Sequence, residues 1–241
     1  MANCKWCGCS GEVLDVTEDG LCSACEPVVS MEINNRLRMI NRCKKLVGES
    51  EKLDEQLEEC DNLVEHAEAL VEYEERGIPT IEPSASELVR TYREGRDDLI
   101  VKGAEREAEN ALAAAEVFAN ADTKVSQLSK MVLKIQEYKA KLHKAGRLDA
   151  LEQRMADLTH QTQLKGYLEE AREAKIKGRH RRALELYNYA LHLLESEVVS
   201  EALRQDNLPA VEAKIAELIA LEQGEEEEEE KEEEQEEGET E

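Results

Sequence analysis

Five cysteines near the N-terminus are the residues whose types and spacing could do chemistry. Two C-x-x-C pairs, Cys4 with Cys7 and Cys22 with Cys25, are separated by 14 residues, and Cys9 follows the first pair. A two-residue spacer lets both thiolates of a pair face one ion, and two such pairs complete the tetrahedron that Zn²⁺ accepts. The spacing therefore predicts one Zn²⁺ per chain on Cys4, Cys7, Cys22 and Cys25. Cys9 is the spare thiol, although it could substitute for Cys7.

The residues between the two pairs predict a small finger. Residues 11–21 have the pattern of a β-hairpin with its turn at Asp19 and Gly20, and Pro27 suits the first turn of a helix. The apolar residues of one hairpin arm are Val13, Leu14 and Val16. With its four paired cysteines, this stretch resembles a zinc ribbon, or a treble-clef finger if the second pair opens the helix. The resemblance implies that the four paired cysteines are the ligands.

The role predicted for the metal is structural. Four thiolates leave no position for a water molecule, and the finger has too few apolar residues to fold without help. Residues 1–27 carry one lysine against five acidic residues, whereas a finger that binds phosphates is expected to be basic. Protein contact, or simple capping of the fold, is therefore favoured over nucleic-acid binding.

The rest of the chain has the composition of long amphipathic helices. Hydrophobic residues make up 41%, charged residues 36% and aromatic residues only 3% of the sequence. Apolar stripes predict a helical hairpin over residues 28–76 with a heptad seam typical of a coiled coil, and Cys43 and Cys60 are predicted as core thiols on its inner face. A linker over 77–83 and long helices over 84–145 follow.

The segment 146–222 carries a second motif, YLEEAREAKIKGRHRRALELYNYAL. Its aromatic, small and turn residues stand at the spacings of one tetratricopeptide unit, and they are Tyr167, Ala171, Gly178, Ala183, Tyr187 and Ala190. The segment resembles such a unit, or a three-helix microtubule-interacting-and-trafficking module with a third helix opened by Pro209. Either resemblance implies that the module docks a helix or peptide.

A basic turn lies inside this module, in a chain that is otherwise acidic. We define the basic turn as Lys175, Lys177, Arg179, His180, Arg181 and Arg182. The residues predicted to contact a partner are Tyr167, Lys177, Arg179, Arg181, Arg182 and Tyr187. Residues 223–241 are predicted to form a disordered acidic tail, with 13 glutamates and one lysine from Glu225 onward, which could compete for the basic turn.

Charge and composition exclude several classes of function. A net charge of −25 opposes binding to bare DNA or anionic membrane, and no apolar run reaches the length of about 18 residues that suggests a membrane span. Seven cysteines in metal-like spacing, without a secretory signal, predict a cytoplasmic protein. No catalytic sequence motif is present, and the five histidines are scattered, so we do not expect an enzyme.

The sequence thus predicts a mainly α protein with a Cys4 zinc finger over residues 1–27, helical hairpins, a tetratricopeptide-like module and an acidic tail. The function predicted first is a non-enzymatic adaptor or scaffold that docks protein partners through helical surfaces, which could also pair with a second copy of the chain. The alternative is a zinc-finger regulator that associates with nucleic acid through the basic turn at 175–182.

Overall fold

The computed structural model describes residues 2–12, 14–144 and 146–238, and of residues 222 and 224–238 it describes the backbone alone. Over these residues the chain forms two short strands and seven helices. The strands are β1 (Ala2–Asn3) and β2 (Ser10–Gly11). The helices are α1 (Glu26–Glu49), α2 (Leu53–Glu75), α3 (Ala85–Val117), α4 (Ala121–Ala140), α5 (Asp149–Ile176), α6 (His180–Glu195) and α7 (Glu201–Gly238). The predicted mainly α fold with an N-terminal β-hairpin is confirmed.

The β-hairpin is placed differently from the prediction. Strands β1 and β2 pair antiparallel on either side of the first cysteine pair, with Ala2 opposite Gly11 and Asn3 opposite Ser10. The segment 11–21, predicted as the hairpin, contributes one antiparallel bridge from Val16 to Cys22. Val13 lies outside the described residues. Two-residue strands carry no alternating pattern, so the sequence could not locate them.

One compact unit contains residues 1–104 and 138–147. Helices α1 and α2 pack as the predicted helical hairpin, and Cys43 and Cys60 lie in its interior with exposed fractions of 2% and 1%. The buried face of α2 includes Leu63, Leu70 and Tyr73 in addition to heptad positions. It is therefore wider than a two-helix coiled-coil seam, because the first turns of α3 also pack into this core through Ala85 and Leu88.

The start of α3 is held by two oxygen acceptors. Ser84 Oγ accepts a hydrogen bond from the backbone N–H of Glu87, which is half of the capping box that the sequence S-x-x-E allows. The carboxylate of Glu74, at the end of α2, accepts a second bond from the backbone N–H of Ala85 at 2.8 Å. A carboxylate at this end also interacts favourably with the helix dipole. Glu74 thereby links the end of α2 to the start of α3.

A second compact unit contains residues 105–137 and 148–241. Helices α5 and α6 form a hairpin that turns at Gly178, and α7 packs against α6. Ala171, Ala183 and Ala190 are completely buried, and Tyr187 is 3% exposed. Small residues at these positions let the helices approach closely, while the tyrosine ring fills the space beside them.

Helix α7 begins earlier than the sequence predicted. Pro209 was expected to open the last helix, but α6 ends at Glu195, and α7 starts at Glu201 with Pro209 inside it. The guanidinium of Arg204 donates to the carbonyl oxygens of Leu194 and Ser196, at 2.8 and 2.9 Å, and so satisfies the end of α6. This cap allows the chain to turn before the proline is reached.

The α7 backbone continues through the acidic segment to Gly238. Glutamates three and four residues apart repel one another on a helix and so destabilise it. The disorder predicted for 223–241 stays a prediction, to be measured in solution. Residues 239–241 lie outside the described residues. Among the helices of the described part of the chain, none combines the length and apolarity needed to cross a bilayer.

Candidate metal centre

The first cysteine pair lies at the tip of the β1–β2 hairpin. The backbone N–H of Cys4 donates to Cys9 O, and that of Gly8 donates to Cys4 O, both at 2.9 Å. Gly8 has a φ of 73°, a left-handed conformation that disfavours residues with a Cβ. The resulting knuckle turns the side chains of Cys4 and Cys7 toward the second pair.

The second pair is held between a turn and a helix start. The N–H of Gly20 donates to Thr17 O, and Gly20 has a φ of 81°, which confirms the turn predicted there. The N–H groups of Cys25 and Glu26 both donate to Cys22 O, and Cys25 is the N-terminal cap of α1. Cys22 and Cys25 therefore open the helix.

The four sulfur atoms have the spacing of a metal-binding tetrahedron. The Sγ atoms of Cys4, Cys7, Cys22 and Cys25 all lie within 4.8 Å of one another, and those of Cys7 and Cys22 are 3.9 Å apart. Sulfurs bonded to Zn²⁺ at about 2.3 Å would be separated by about 3.8 Å in a regular tetrahedron. The donor set therefore fits a tetrahedral thiolate-binding ion. The sequence-predicted four cysteines are brought together, and they could hold a metal.

The surroundings of the site shift the pKa values of two of its thiols in opposite directions. Hydrogen bonds from the backbone N–H groups of Cys7 and Cys22 lower the pKa of the Cys4 thiol to about 6. One of these, from Cys22 N to Cys4 Sγ, is 3.3 Å long. Burial, together with hydrogen bonds to the neighbouring thiols, raises the pKa of Cys25 to about 12. A raised pKa means that deprotonation of Cys25 is unfavourable. A bound divalent cation would offset this free-energy cost, because coordination stabilises the thiolate.

Cys9 differs from the four clustered cysteines. Its side chain is exposed, as is that of Cys7, but within the described residues Cys9 does not belong to the group whose ligand atoms lie within 4.8 Å of one another. Its carbonyl oxygen nevertheless closes the knuckle by accepting from Cys4 N. Cys9 thus contributes its backbone to the site, and its thiol remains at the surface.

Three side chains attach the finger to the end of α2. The rings of Trp6 and Tyr73 stack with centroids 4.8 Å apart and planes 11° from parallel. The Arg76 guanidinium carbon lies 4.4 Å from the Trp6 ring centroid, and Arg76 Nη1 donates to Trp6 O at 3.0 Å. Such a cation over an indole face is attracted to it, the more so when water is excluded. We call Trp6, Tyr73 and Arg76 the finger clamp.

Lys5 adds a further link between the finger and the helices. Its backbone N–H donates to Gly20 O at 2.9 Å, and its Nζ donates to Gly77 O at 2.6 Å, just after α2. Sequence reasoning found none of the contacts of Lys5 or Arg76 with residues about 70 positions away. The sequence signal for these contacts is that the single tryptophan of the chain lies between Cys4 and Cys7.

The residues predicted to contact a partner fall into two groups in the second unit. Tyr187 is buried in its core, whereas Tyr167 is half-buried and stacks at a tilt on Tyr189 with centroids 5.9 Å apart. Lys177 pairs with Glu173 and Arg182 with Glu185, at 3.0 and 2.9 Å. Arg179 and Arg181 are exposed, and neither forms an ion pair with another described residue. A partner-binding role for these residues stays a prediction.

Asp97 is a buried carboxylate that the sequence did not single out. It is 1% exposed and accepts hydrogen bonds from the N–H and Nδ1 of His143 and from the N–H of Lys144, all at 3.1 Å. Burial would raise its pKa, but these hydrogen bonds outweigh that effect and hold the pKa below the ordinary value of an aspartate. Its contacts join α3 to the segment after α4, which is a structural role.

The chain was compared with known proteins at three levels. No protein-family model, no curated protein and no solved structure matches it. The four cysteines, the finger clamp and the surfaces of the helices are therefore the candidate functional features of the described residues.

Proposed function

We propose that this protein is a non-enzymatic adaptor whose N-terminal finger holds one structural Zn²⁺ and whose helices dock other proteins. The observation that carries the proposal is the cluster of four cysteine sulfurs, attached to the helical hairpin by the finger clamp. A treble-clef type of finger suits the arrangement best, because the second cysteine pair opens α1. The metal would thus fix the start of the first helix.

The chemistry of the donor set supports a structural ion. Zn²⁺ accepts four thiolates in a closed tetrahedron, which leaves no position for water or substrate. Catalytic zinc sites keep such a position open. When bound, the ion supplies folding free energy, because the unfolded finger cannot offer the same preformed site.

Docking of proteins is supported by the surfaces of the helices. Large apolar side chains remain exposed on several helices, among them Val28 and Met31 on α1, at 60% and 58%. The α5–α6 hairpin buries its small residues as the tetratricopeptide resemblance implies. We place the adaptor in the cytoplasm, where a reducing environment keeps thiols available for the metal.

A second candidate, association with nucleic acid, is supported by one observation. Arg179 and Arg181 are exposed beside the start of α6 and unpaired within the described part of the chain. The net charge of −25 opposes approach to a polyanion, so we rank this function second.

The proposed adaptor function can be tested by affinity capture from the native host. Wild-type protein, Cys22→Ser and the matched control Cys9→Ser would be compared with quantitative mass spectrometry, with and without nuclease. We expect defined proteins to bind the wild type and Cys9→Ser, to resist nuclease, and to bind Cys22→Ser more weakly. Each interaction would be repeated with purified components by calorimetry. Capture that disappears with nuclease would support the second candidate and refute the first.

A further inference from the structure

One face of α1 is exposed along about four turns and carries two kinds of side chain. The α1 outer face consists of Val28, Met31, Asn35, Arg38, Met39 and Arg42, which are all exposed. Their spacing of three to four residues places them on one side of the helix, opposite the core positions Val29, Ile33, Ile40 and Cys43. From Val28 to Arg42 the face is about 21 Å long.

Three of the exposed side chains on this face are apolar. Val28, Met31 and Met39 are 60%, 58% and 38% exposed, although single exposed apolar residues are common on proteins. Here three of them share one stripe, and two are methionines, whose flexible side chains adapt to different partners. Such a stripe is typical of a surface that receives another helix.

The cationic part of the face selects the charge of the partner. Two of the six residues of the α1 outer face are arginines and none is acidic, in a chain of 56 acidic and 31 basic residues. Arg38 donates to Asn35 Oδ1 at 3.0 Å, and neither Arg38 nor Arg42 forms an ion pair with another described residue. Carboxylates of an acidic partner would form ion pairs with these two arginines.

A second copy of the chain is a poor occupant. In a two-fold dimer the same patch faces itself, and because the α1 outer face holds two arginines and no acidic residue, neither copy would supply a carboxylate to Arg38 or Arg42. Nucleic acid is also disfavoured, because exposed valine and methionine side chains have no charge or hydrogen-bond donor to contact phosphate, and the net charge of the chain is −25.

We propose that the α1 outer face binds a helix of a partner protein, with apolar residues on the contacting side and aspartate or glutamate on its flanks. This inference rests on the proposed adaptor function and names its docking surface. The face starts three residues after Cys25, so metal binding at that cysteine also orders the first turns of the face. At about 21 Å long and about 10 Å wide, one helix face is smaller than the usual interface of about 800 Å² per partner, which fits a weak, exchangeable contact.

A displayed library of helical peptides of about 16 residues tests the proposal. The library keeps leucine at the contacting positions and varies the flanking positions among Glu, Gln and Lys. Selection on the full chain purified with zinc should enrich glutamate at the flanks. The dissociation constant of a selected peptide should rise about tenfold or more in Arg38→Glu/Arg42→Glu, and also in Met31→Gln/Met39→Gln.

Two matched variants control for net charge and for exposed apolar area. Arg106→Glu/Arg154→Glu changes the charge equally at two exposed arginines on α3 and α5, and Leu133→Gln removes an apolar side chain that is 61% exposed on α4. Both should bind the selected peptide as the wild type does. Equal weakening in the controls, or a library without enrichment, overturns the proposal.

Two further measurements would show whether the α1 outer face binds nucleic acid or a second copy of the chain instead. An oligonucleotide of about 20 nucleotides that binds through Arg38 and Arg42 would assign the face to nucleic acid. A dimer in sedimentation equilibrium that Arg38→Glu/Arg42→Glu dissolves would assign it to a second copy. If the captured partners still bind that variant, the proposed docking face is wrong and the adaptor function stands. If the wild type captures no partner, the adaptor function itself fails.

Discussion

At the scale of single residues, Arg76 connects the finger to the helices in two ways. It lies over the Trp6 ring and donates a hydrogen bond to the Trp6 carbonyl oxygen, while its other nitrogen pairs with Glu72 at 2.6 Å. A residue with both contacts should couple metal retention to the stability of the α1–α2 hairpin. Loss of the guanidinium would loosen the finger without removing any cysteine.

We therefore expect Arg76→Met to lower the stability of the zinc-bound protein by about 1–2 kcal/mol. The variant should also release zinc at a lower concentration of chelator, and the fluorescence of Trp6 should report the change. Arg90→Met is the matched control, because Arg90 is exposed and its ion pairs within the described residues are with Glu87 and Glu94 at 3.5 Å or more. Equal chelator resistance in wild type and Arg76→Met would show that the clamp is uncoupled from the metal.

Asp97 predicts how the stability of the fold depends on pH. Its pKa is lowered in the folded state, so its contribution to stability is present above the unfolded pKa of about 3.9 and is lost as pH falls through the lower folded pKa. At pH 7, Asp97→Asn should cost about 2 kcal/mol, because hydrogen bonds to a buried charge are lost. Urea titrations of both proteins without metal should show this difference shrinking below about pH 4.

Asp98→Asn is the control for this measurement. Asp98 is exposed and pairs with Arg147 at 2.6 Å, and an exposed ion pair contributes at most about 1 kcal/mol. A gap between wild type and Asp97→Asn that is the same at pH 7 and in acid would contradict the assigned role of the Asp97 charge.

At the scale of elements, the sequence predicted the helices well and their long-range contacts poorly. Apolar spacing located the α1–α2 hairpin, and paired cysteines identified the candidate ligands, because both signals are local. The finger clamp joins Trp6 to Arg76, 70 residues away, and no local pattern encodes such a contact. The prediction that Pro209 opens the last helix was wrong for a related reason, since the cap provided by Arg204 depends on how α6 and α7 pack.

Two glycines inside helices test how closely those helices are packed. A Cβ built at Gly166 in α5 would lie 2.8 Å from the Cβ of Ala121, whereas one at Gly95 in α3 meets nothing within 4 Å. Gly95→Ala should therefore stabilise the protein by about 0.5–1 kcal/mol, the usual gain in helix propensity. Gly166→Ala should destabilise it by about 1–3 kcal/mol through overpacking.

Urea unfolding followed by circular dichroism would measure both changes in the zinc-bound protein. The opposite signs are the decisive feature, because propensity alone predicts the same gain at both positions. A stabilising Gly166→Ala would mean that α4 and α5 are not packed at Ala121 as described.

At the scale of the whole molecule, charge is distributed unevenly. Helix α7 returns along α6 toward the basic turn, and Lys175 pairs with Glu217 at 2.5 Å. The run of glutamates begins at Glu225, eight residues after Glu217. Opposite charges tethered in one chain have a high effective concentration, although salt screens exposed pairs beyond about 8 Å.

Deletion of residues 225–241 should therefore strengthen binding of a polyanion to the basic turn, mostly at low salt. Titration with heparin at two salt concentrations would measure the effect. The same deletion in Arg179→Gln/Arg181→Gln/Arg182→Gln separates a specific contact from the loss of general repulsion. If truncation enhances binding equally in that background, the tail acts only through its net charge.

The candidate metal centre is central to the whole molecule, because Cys25 caps the start of α1 and the finger clamp joins the finger to the end of α2. Its most direct test is the metal content of the protein, purified without added zinc and analysed by native mass spectrometry. We expect one zinc ion per chain in the wild type and in Cys9→Ser, and a clear loss in Cys22→Ser. A wild type without zinc, or full zinc in Cys22→Ser together with loss in Cys9→Ser, would contradict the assignment of Cys4, Cys7, Cys22 and Cys25 as the ligands.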